Sequence, residues 1–472
     1  MASVSRKRPN SRSGDSSPDK IRKPEKDTSK KDNILQKFED WFHQKHGAIN
    51  VRHLYMGDAC SSTEKIEKGT RVIVSVIESE KAIENEEYQC DREHFTVVYK
   101  LWGENSVSEE TEEYEEHGHE KIKEITKYLK KNADSIFRKH SNLEMIRASR
   151  FRIKKNKAKK KKAIFEPCIA IYCSYKGVVP VGEEEFPTKL DGFATDIREG
   201  FFHLHGNYDI CANSIDQLDP LRMGASISRE SGGGGQGTLG GFVQLNDGEI
   251  GFITCAHVLH TADEMLRNPS NLQFPVVQPS LCYEGSQRCG NIFKSAFPSS
   301  TIVDGVSVDA AVVKLTNRIP KKALLSDLTT ARLKKLGFSR SMLPKFCCGK
   351  IRSGEESQDH PHEGVLKCGM VSGLTLGKVE QGEIFARYRN IPLYDDQQRI
   401  STMYMSQLVI RGIRNTPFSL KGDSGALVFQ YSDVNDLRCI GMIVGGGGEE
   451  GLSYATPITS VLEALSVTLK DF

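Results

Sequence analysis

From Ile227 to Leu465, short apolar runs alternate with clusters of turn residues, and that rhythm restricts this half of the chain to an all-β barrel or sandwich. The glycine-rich stretch Ser231 to Gly237 reads as a flexible linker or loop near its start. At its far end, Ile458 to Leu469 carries apolar residues at helical spacing, as a final packing helix would.

One turn in this region carries chemistry. Gly422-Asp423-Ser424-Gly425 stands directly ahead of the apolar run Ala426 to Phe429. Such a turn holds a hydroxyl outward while the backbone N–H groups of Gly422 and Ser424 point at one spot, giving a nucleophile and an oxyanion hole together. A serine hydroxyl is a poor nucleophile at neutral pH and needs a base to take its proton. His257, at the end of the apolar run Gly251 to Ala256, is the candidate base, with an ordinary pKa near working pH. Asp309, at the head of the apolar run Ala310 to Leu315, is suited to hold the imidazole tautomer and stabilise the imidazolium. A lone histidine on a strand is usually structural and a lone aspartate usually a turn or cap. The order histidine, aspartate, serine is the chymotrypsin order, not the Ser-Asp-His order of α/β-hydrolases, and it argues for a triad. Asp304, in Val303-Asp-Gly-Val306, is the fallback acid but reads better as a turn.

The three segments resemble the His, Asp and Ser motifs of trypsin-like peptidases, and Asp309-Ala-Ala-Val-Val-Lys-Leu315 resembles that family's Asp strand closely. Gly441-Met-Ile-Val-Gly-Gly446 and Ser453-Tyr-Ala-Thr-Pro-Ile458 resemble the two strands that follow the nucleophile. Gly237 to Val243 and Lys367 to Val379 are similar to segments of an intracellular branch found in bacteria and plants, the NARROW LEAF 1-type proteins. There a small domain precedes the barrels, and Asp191 to Glu199 resembles its closing strand. The resemblance implies a double six-stranded barrel over residues 223–472, a His257–Asp309–Ser424 triad and an oxyanion hole from Gly422 and Ser424. It also implies a substrate pocket with Phe418 at its base and Val444, Gly445 and Gly446 as its wall. No acid stands at that base, which argues against a Lys/Arg preference, and the two glycines leave room for an apolar or aromatic side chain.

Two departures from the secreted members stand out. No Ile-Val-Gly-Gly start is present to supply a new N-terminus for Asp423, so Asp423 has another partner or its turn orders only on substrate binding. The serine usually found beneath the triad aspartate is Val444 here, which removes one support and implies modest activity.

The rest of the chain divides by composition. Residues 1–32 are Ser, Pro, Lys and Arg with few apolar side chains and read as a disordered basic tail. Its Arg6-Lys-Arg-Pro9 and Arg22-Lys-Pro24 read equally as import signals or as a solvated tail. Residues 33–115 suggest a small α+β region, with Ile34, Leu35, Phe38, Trp41 and Phe42 at helical spacing. Residues 116–222 suggest an α+β domain: a helix over Lys121 to His140, then two strands around the basic tip Lys154 to Lys162. That tip could make weak nucleic-acid contact, but no aromatic stacking platform lies beside it, and a solvated hairpin tip is the plainer account.

Lys plus Arg number 65 against 62 Asp plus Glu, and the net charge of +3 says little because the charges are segregated. The 12 cysteines match neither the disulfide framework of secreted relatives nor paired zinc spacing, so they read as reduced, mostly buried thiols, with no metal and no cofactor required. No apolar stretch reaches the roughly 18 residues a membrane helix needs. With no apolar leader, a cytoplasmic or nuclear location is expected, not secretion. Together these features describe an intracellular serine endopeptidase acting through an acyl-enzyme. The rival is a catalytically weak or inactive barrel serving as a protein- or nucleic-acid-interaction module.

Overall fold

The computed structural model describes residues 25–470 except 48, 62–65, 80, 103–117, 156–160, 206–214, 268–272, 323–324, 327–349, 396–397, 414–415, 432–436 and 449–451. The protein is mostly β. Among the described residues, no helix is long and apolar enough to cross a membrane.

The N-terminal half contains the same unit twice. The first unit is α1 (Glu25–His46), β1 (Asn50–Ala59), β2 (Arg71–Glu78), β3 (Glu86–Cys90) and β4 (Glu93–Leu101). The second is α2 (His119–Lys139), β5 (Leu143–Lys155), β6 (Lys161–Cys173), β8 (Lys189–Leu190) and β9 (Phe193–Glu199), with β7 (Val178–Pro180) inserted. In each, a helix leads into an antiparallel hairpin, then into a second hairpin whose last strand runs parallel to the preceding hairpin's second strand. The strand orders correspond: β3-β4-β2-β1 and β8-β9-β6-β5. Each helix covers its sheet through an i, i+3/i+4 stripe: Ile34, Phe38 and Phe42 on α1, Ile122, Ile125, Leu129 and Ala133 on α2. α1 begins at Glu25, so residues 25–32, assigned to the tail by composition, are helical. Residues 1–24, the acidic stretch up to 117 and the centre of the basic tip lie outside the described residues.

The second unit does not stand apart. Its β5 pairs with β21 (Gly373–Asp395) at Met145, Ile146 and Arg147, which extends its sheet into the C-terminal half. The chain leaves β9, and β10 (Phe202–Leu204) then docks on β24 (Leu437–Gly447).

The C-terminal half holds two β layers. The first comprises β11 (Ser226–Arg229), β12 (Gln236–Thr238), β13 (Phe242–Gln244), β14 (Ile250–Thr254), β15 (Pro275–Gln278), β16 (Gln287–Ala296) and β19 (Ala310–Leu315). β26 (Thr468–Leu469) completes it, in the order β12-β11-β15-β16-β19-β14-β13-β26. The count is eight, not six, because Leu239-Gly240-Gly241 splits one strand into β12 and β13 and the C-terminus adds β26. The short helices α3 (Ala256–Leu259) and α4 (Ala262–Arg267) and the small hairpin β17 (Ile302–Val303) and β18 (Val306–Ser307) decorate it.

The second layer runs β20 (Gly364–Gly369), β23 (Leu427–Tyr431), β24, β25 (Leu452–Pro457), β22 (Gln398–Gly412), β21. β20 also pairs with β21, so these six strands return on themselves. Val365, Ile410, Val428, Ile443 and Ala455 fill part of the ring. α5 (Gly354–Gln358) opens with a capping box, Ser353 and Glu356 exchanging bonds. α6 (Ile458–Leu465) ends on Ser466 in the left-handed conformation before β26. One continuous apolar core joins the two layers, running from Phe252 and Val312 to Leu427 and Met442.

Candidate active site

Strand β14 ends at Thr254, and the single turn of α3 aims His257 back toward β19. Asp309 stands immediately before β19 and is fully buried. Its Oδ2 lies 2.6 Å from His257 Nδ1, and its Oδ1 accepts from the His257 backbone N–H at 3.1 Å. The carboxylate therefore fixes both the ring and the backbone of the histidine through Nδ1 and the main-chain N–H.

A third donor reaches this carboxylate. The Tyr404 hydroxyl, from β22, donates to Asp309 Oδ2 at 2.7 Å and is itself fully buried. Burial works to raise the Asp309 pKa, but the His257 imidazole and the hydrogen bonds from His257 and Tyr404 outweigh it and hold the carboxyl below its ordinary value. Asp304, by contrast, is exposed in the β17–β18 turn with φ 49°, beside Gly305 at φ 80°.

Ser424 lies in the turn between Gly422 (φ 101°) and Gly425 (φ 95°), both in backbone regions that favour glycine. A Cβ on Gly425 would sit 2.3 Å from Thr254 Oγ1, and one on Gly237 would lie 3.0 Å from the Ser424 carbonyl and closer still to Val258. The turn is thus pressed against the end of β14 and α3, where the two layers meet. The Ser424 hydroxyl donates to the Val444 carbonyl at 3.2 Å, while His257 Nε2 is buried without a hydrogen-bond partner.

Asp423 has a partner. Lys367 Nζ, from β20, donates to its Oδ2 at 2.8 Å, and both side chains are fully buried. The backbone N–H groups of Val371 and Ser372 donate to Oδ1 at 3.0 and 3.1 Å, and Leu420 N–H donates to Oδ2 at 2.9 Å. Ser372 bridges the pair: its hydroxyl donates to Oδ2 at 2.5 Å and accepts from Lys367. Burial raises the Asp423 pKa, and Lys367 with these donors more than offsets it, leaving the carboxyl below its ordinary value. A Cβ on Gly369 would lie 2.2 Å from Asp423 Oδ1, so the β20–β21 hairpin must carry glycine there. The segment Lys367 to Val379, which drew attention in the sequence by resemblance alone, thus supplies an internal cation for Asp423.

The cleft beside Ser424 is occupied by the chain itself. Phe202, His203 and Leu204 of β10 pair antiparallel with Gly447, Gly446 and Gly445. His205 N–H then donates to the Val444 carbonyl at 3.3 Å, and the Gly422 N–H donates to the His205 carbonyl. Gly422 N–H, one of the two expected oxyanion donors, therefore holds a peptide carbonyl. Gly445 and Gly446, expected as a pocket wall, are explained by close backbone approach: a Cβ on Gly445 would sit 2.2 Å from His203 O. Phe418, expected at the pocket's base, is fully buried. Ser419, its neighbour, is the residue that reaches the occupant, with Oγ 3.0 Å from His205 Nδ1.

Tyr404, Lys367, Ser419 and His205 were not identified as site residues from the sequence. Among the described residues, Cys255, His257 and Asp309 also form a cluster of metal-ligand types, but the Cys255 thiol donates to Ile443 O at 3.1 Å and burial drives its pKa well above the ordinary value. Those features suit a packed thiol better than a thiolate ligand. The nine described cysteines are free, Cys282 alone among them exposed. On the basic hairpin, Lys154 pairs with Glu166 at 2.9 Å.

No family model matches the chain, and no curated protein matches it. Among solved structures it is similar to a glutamic acid-specific serine protease described as utilizing a novel histidine triad in substrate binding, at 17% identity and TM-score 0.32, over 53% of this chain and 100% of that one. It is also similar to Nocardiopsis protease (NAPase), at 18% identity and TM-score 0.31, over 53% of this chain and 98% of that one. The chymotrypsin of Cellulomonas bogoriensis is a third, at 14% identity and TM-score 0.30, over 53% of this chain and 98% of that one.

Proposed function

We propose that this chain is a serine endopeptidase built on two trypsin-like barrels, with Ser424 as nucleophile, His257 as base and Asp309 as the group that orients it. The observation that carries the reading is the His205 carbonyl, which accepts from Gly422 N–H beside Ser424 while the Asp309–His257 pair stands ready at 2.6 Å. A peptide carbonyl at the oxyanion donor next to a serine is the arrangement that precedes acyl transfer. In the reaction, Ser424 Oγ turns from Val444 O toward His257 Nε2, gives up its proton and adds to the carbonyl carbon. His257 then protonates the leaving amine, and water resolves the ester by the same route in reverse. Lys367 holds Asp423, and through it the turn that carries Gly422 and Ser424, without an added N-terminus. Casein hydrolysis by the full chain should fall by roughly 10⁶ in Ser424→Ala if the triad acts as a unit. Equal turnover by the two proteins would reject the reading.

A second reading is supported by the Ser424–Val444 hydrogen bond and the occupied cleft: a catalytically weak barrel that binds an extended strand. It predicts retained strand binding with no hydrolysis by the wild type.

A further inference from the structure

The strand β10 reports what the cleft accepts. Its backbone runs antiparallel along Gly445–Gly447, and beyond it His205 N–H and C=O are held by Val444 and Gly422. The next chemical group along the chain is the bond to residue 206. The His205 side chain fills the pocket: it is 8% exposed, its Nδ1 lies 3.0 Å from Ser419 Oγ, and a Cβ on Gly446 would sit 2.7 Å from its Nε2. Ser419 is positioned for that contact by Ser453, whose Oγ lies 2.7 Å from Ser419 Oγ and accepts from Ser419 N–H at 3.1 Å. An imidazole fits this hydrogen-bonding wall because its Nδ1 serves as donor or acceptor according to tautomer. Asp423, the carboxylate whose charge acts on His205, is already paired with Lys367, so a lysine would not find it free. A carboxylate in the same place would meet the Ser419 hydroxyl and the charges of Lys367 and Lys421.

We propose that the pocket beside Ser424 selects peptides with histidine immediately before the cleaved bond, and that the chain's own Phe202–His205 segment is such a substrate. This rests on the serine-endopeptidase reading above. The step is balanced: Ser424 Oγ bonds to the His205 carbonyl carbon, its proton passes to His257 and the bond from His205 to residue 206 breaks. The proton then goes to the departing amine, and water releases a His205 carboxylate.

Intact mass and N-terminal sequencing of the purified full chain test it. The expected result is a fragment beginning at Gly206 in the wild type, absent in Ser424→Ala. His205→Phe should process within about tenfold of wild type, because a neutral aromatic ring fits the same space, whereas His205→Lys should fall at least about 100-fold, by the cost of a buried cation beside Lys367 and Lys421. Ser419→Ala should slow the wild-type sequence about tenfold, the worth of one hydrogen bond, but leave the His205→Phe background unchanged. That contrast separates recognition from folding. A wild-type protein that labels with a fluorophosphonate yet stays uncut after His205 overturns this inference and leaves the peptidase reading standing. So does His205→Lys processed as fast as wild type. Absence of both labelling and cutting overturns the two together.

Discussion

At the scale of single residues, the site rests on groups that arrive from distant parts of the chain. The His257, Asp309 and Ser424 contexts were legible because each is a short contiguous pattern: a chemical residue at the end of an apolar run. Tyr404 was not legible. It lies 95 positions from Asp309 and looks, in sequence, like any strand tyrosine; only the pairing of β22 brings its hydroxyl to the carboxylate. A hydrogen bond to a charged group contributes about 1.5–3 kcal/mol, so Tyr404→Phe should lower kcat/KM by about 10–100-fold with KM little changed. Steady-state kinetics decide it, and an unaltered kcat would show the hydroxyl to be mere packing. Lys367 was equally hidden, being one lysine among many. Removing one partner of a buried ion pair costs about 3–5 kcal/mol, so Lys367→Met should lower the urea midpoint accordingly and impair turnover. An unchanged midpoint would mean that the Val371, Ser372 and Leu420 N–H groups suffice to hold Asp423.

At the scale of elements, the rhythm of short strands after Ile227 conveyed the all-β class, and the six-strand ring β20-β23-β24-β25-β22-β21 is its clearest expression. Strand count in the first layer was beyond that rhythm, because β12 and β13 share one stretch and β26 comes from the far terminus. The repeat of the N-terminal unit was also beyond it: pairing order, not residue identity, is what the two copies have in common. The glycines at 445 and 446 were noted, but as space for a substrate side chain. Their more immediate role is to let β10 lie against β24. Gly446→Val would place carbon where the His205 ring now sits, and it should release β10. Hydrogen exchange at the His205 amide, bonded to Val444 O, should then accelerate by at least about tenfold, while retained protection would show that the backbone pairing alone holds the strand.

At the scale of the whole molecule, the N-terminal units and the C-terminal half form one connected sheet system, with β5 on β21 at one junction and β10 on β24 at another. Titration separates the two kinds of contact. Burial drives the His205 pKa down to about 4; Asp423 opposes this, and the charges of Lys367, Lys421 and His257 add to it. His203 falls to about 3, through burial first, then Lys421, His205 and Arg52, with Glu144 opposing. Both histidines bind protons less readily when docked than when free. The stability they lend to docking is therefore fully present above their ordinary value of 6.5 and is lost as pH falls from there toward 4. Asp309 and Asp423 are held below their ordinary 3.8, so their contribution persists until the pH drops beneath that value. β10 should consequently loosen at mildly acid pH. Limited proteolysis near residue 205 at about pH 5 against about pH 7.5, with near-UV circular dichroism as the fold control, measures this. Equal resistance at the two values would contradict it.

The central claim is that Ser424 is a nucleophile activated by His257. Mass-spectrometric mapping of a fluorophosphonate adduct on the full chain tests it most directly. A phosphonylated peptide containing Ser424 is expected in the wild type, and its loss in both Ser424→Ala and His257→Ala. An adduct of undiminished yield in folded His257→Ala, or none at Ser424 in the wild type, would contradict it.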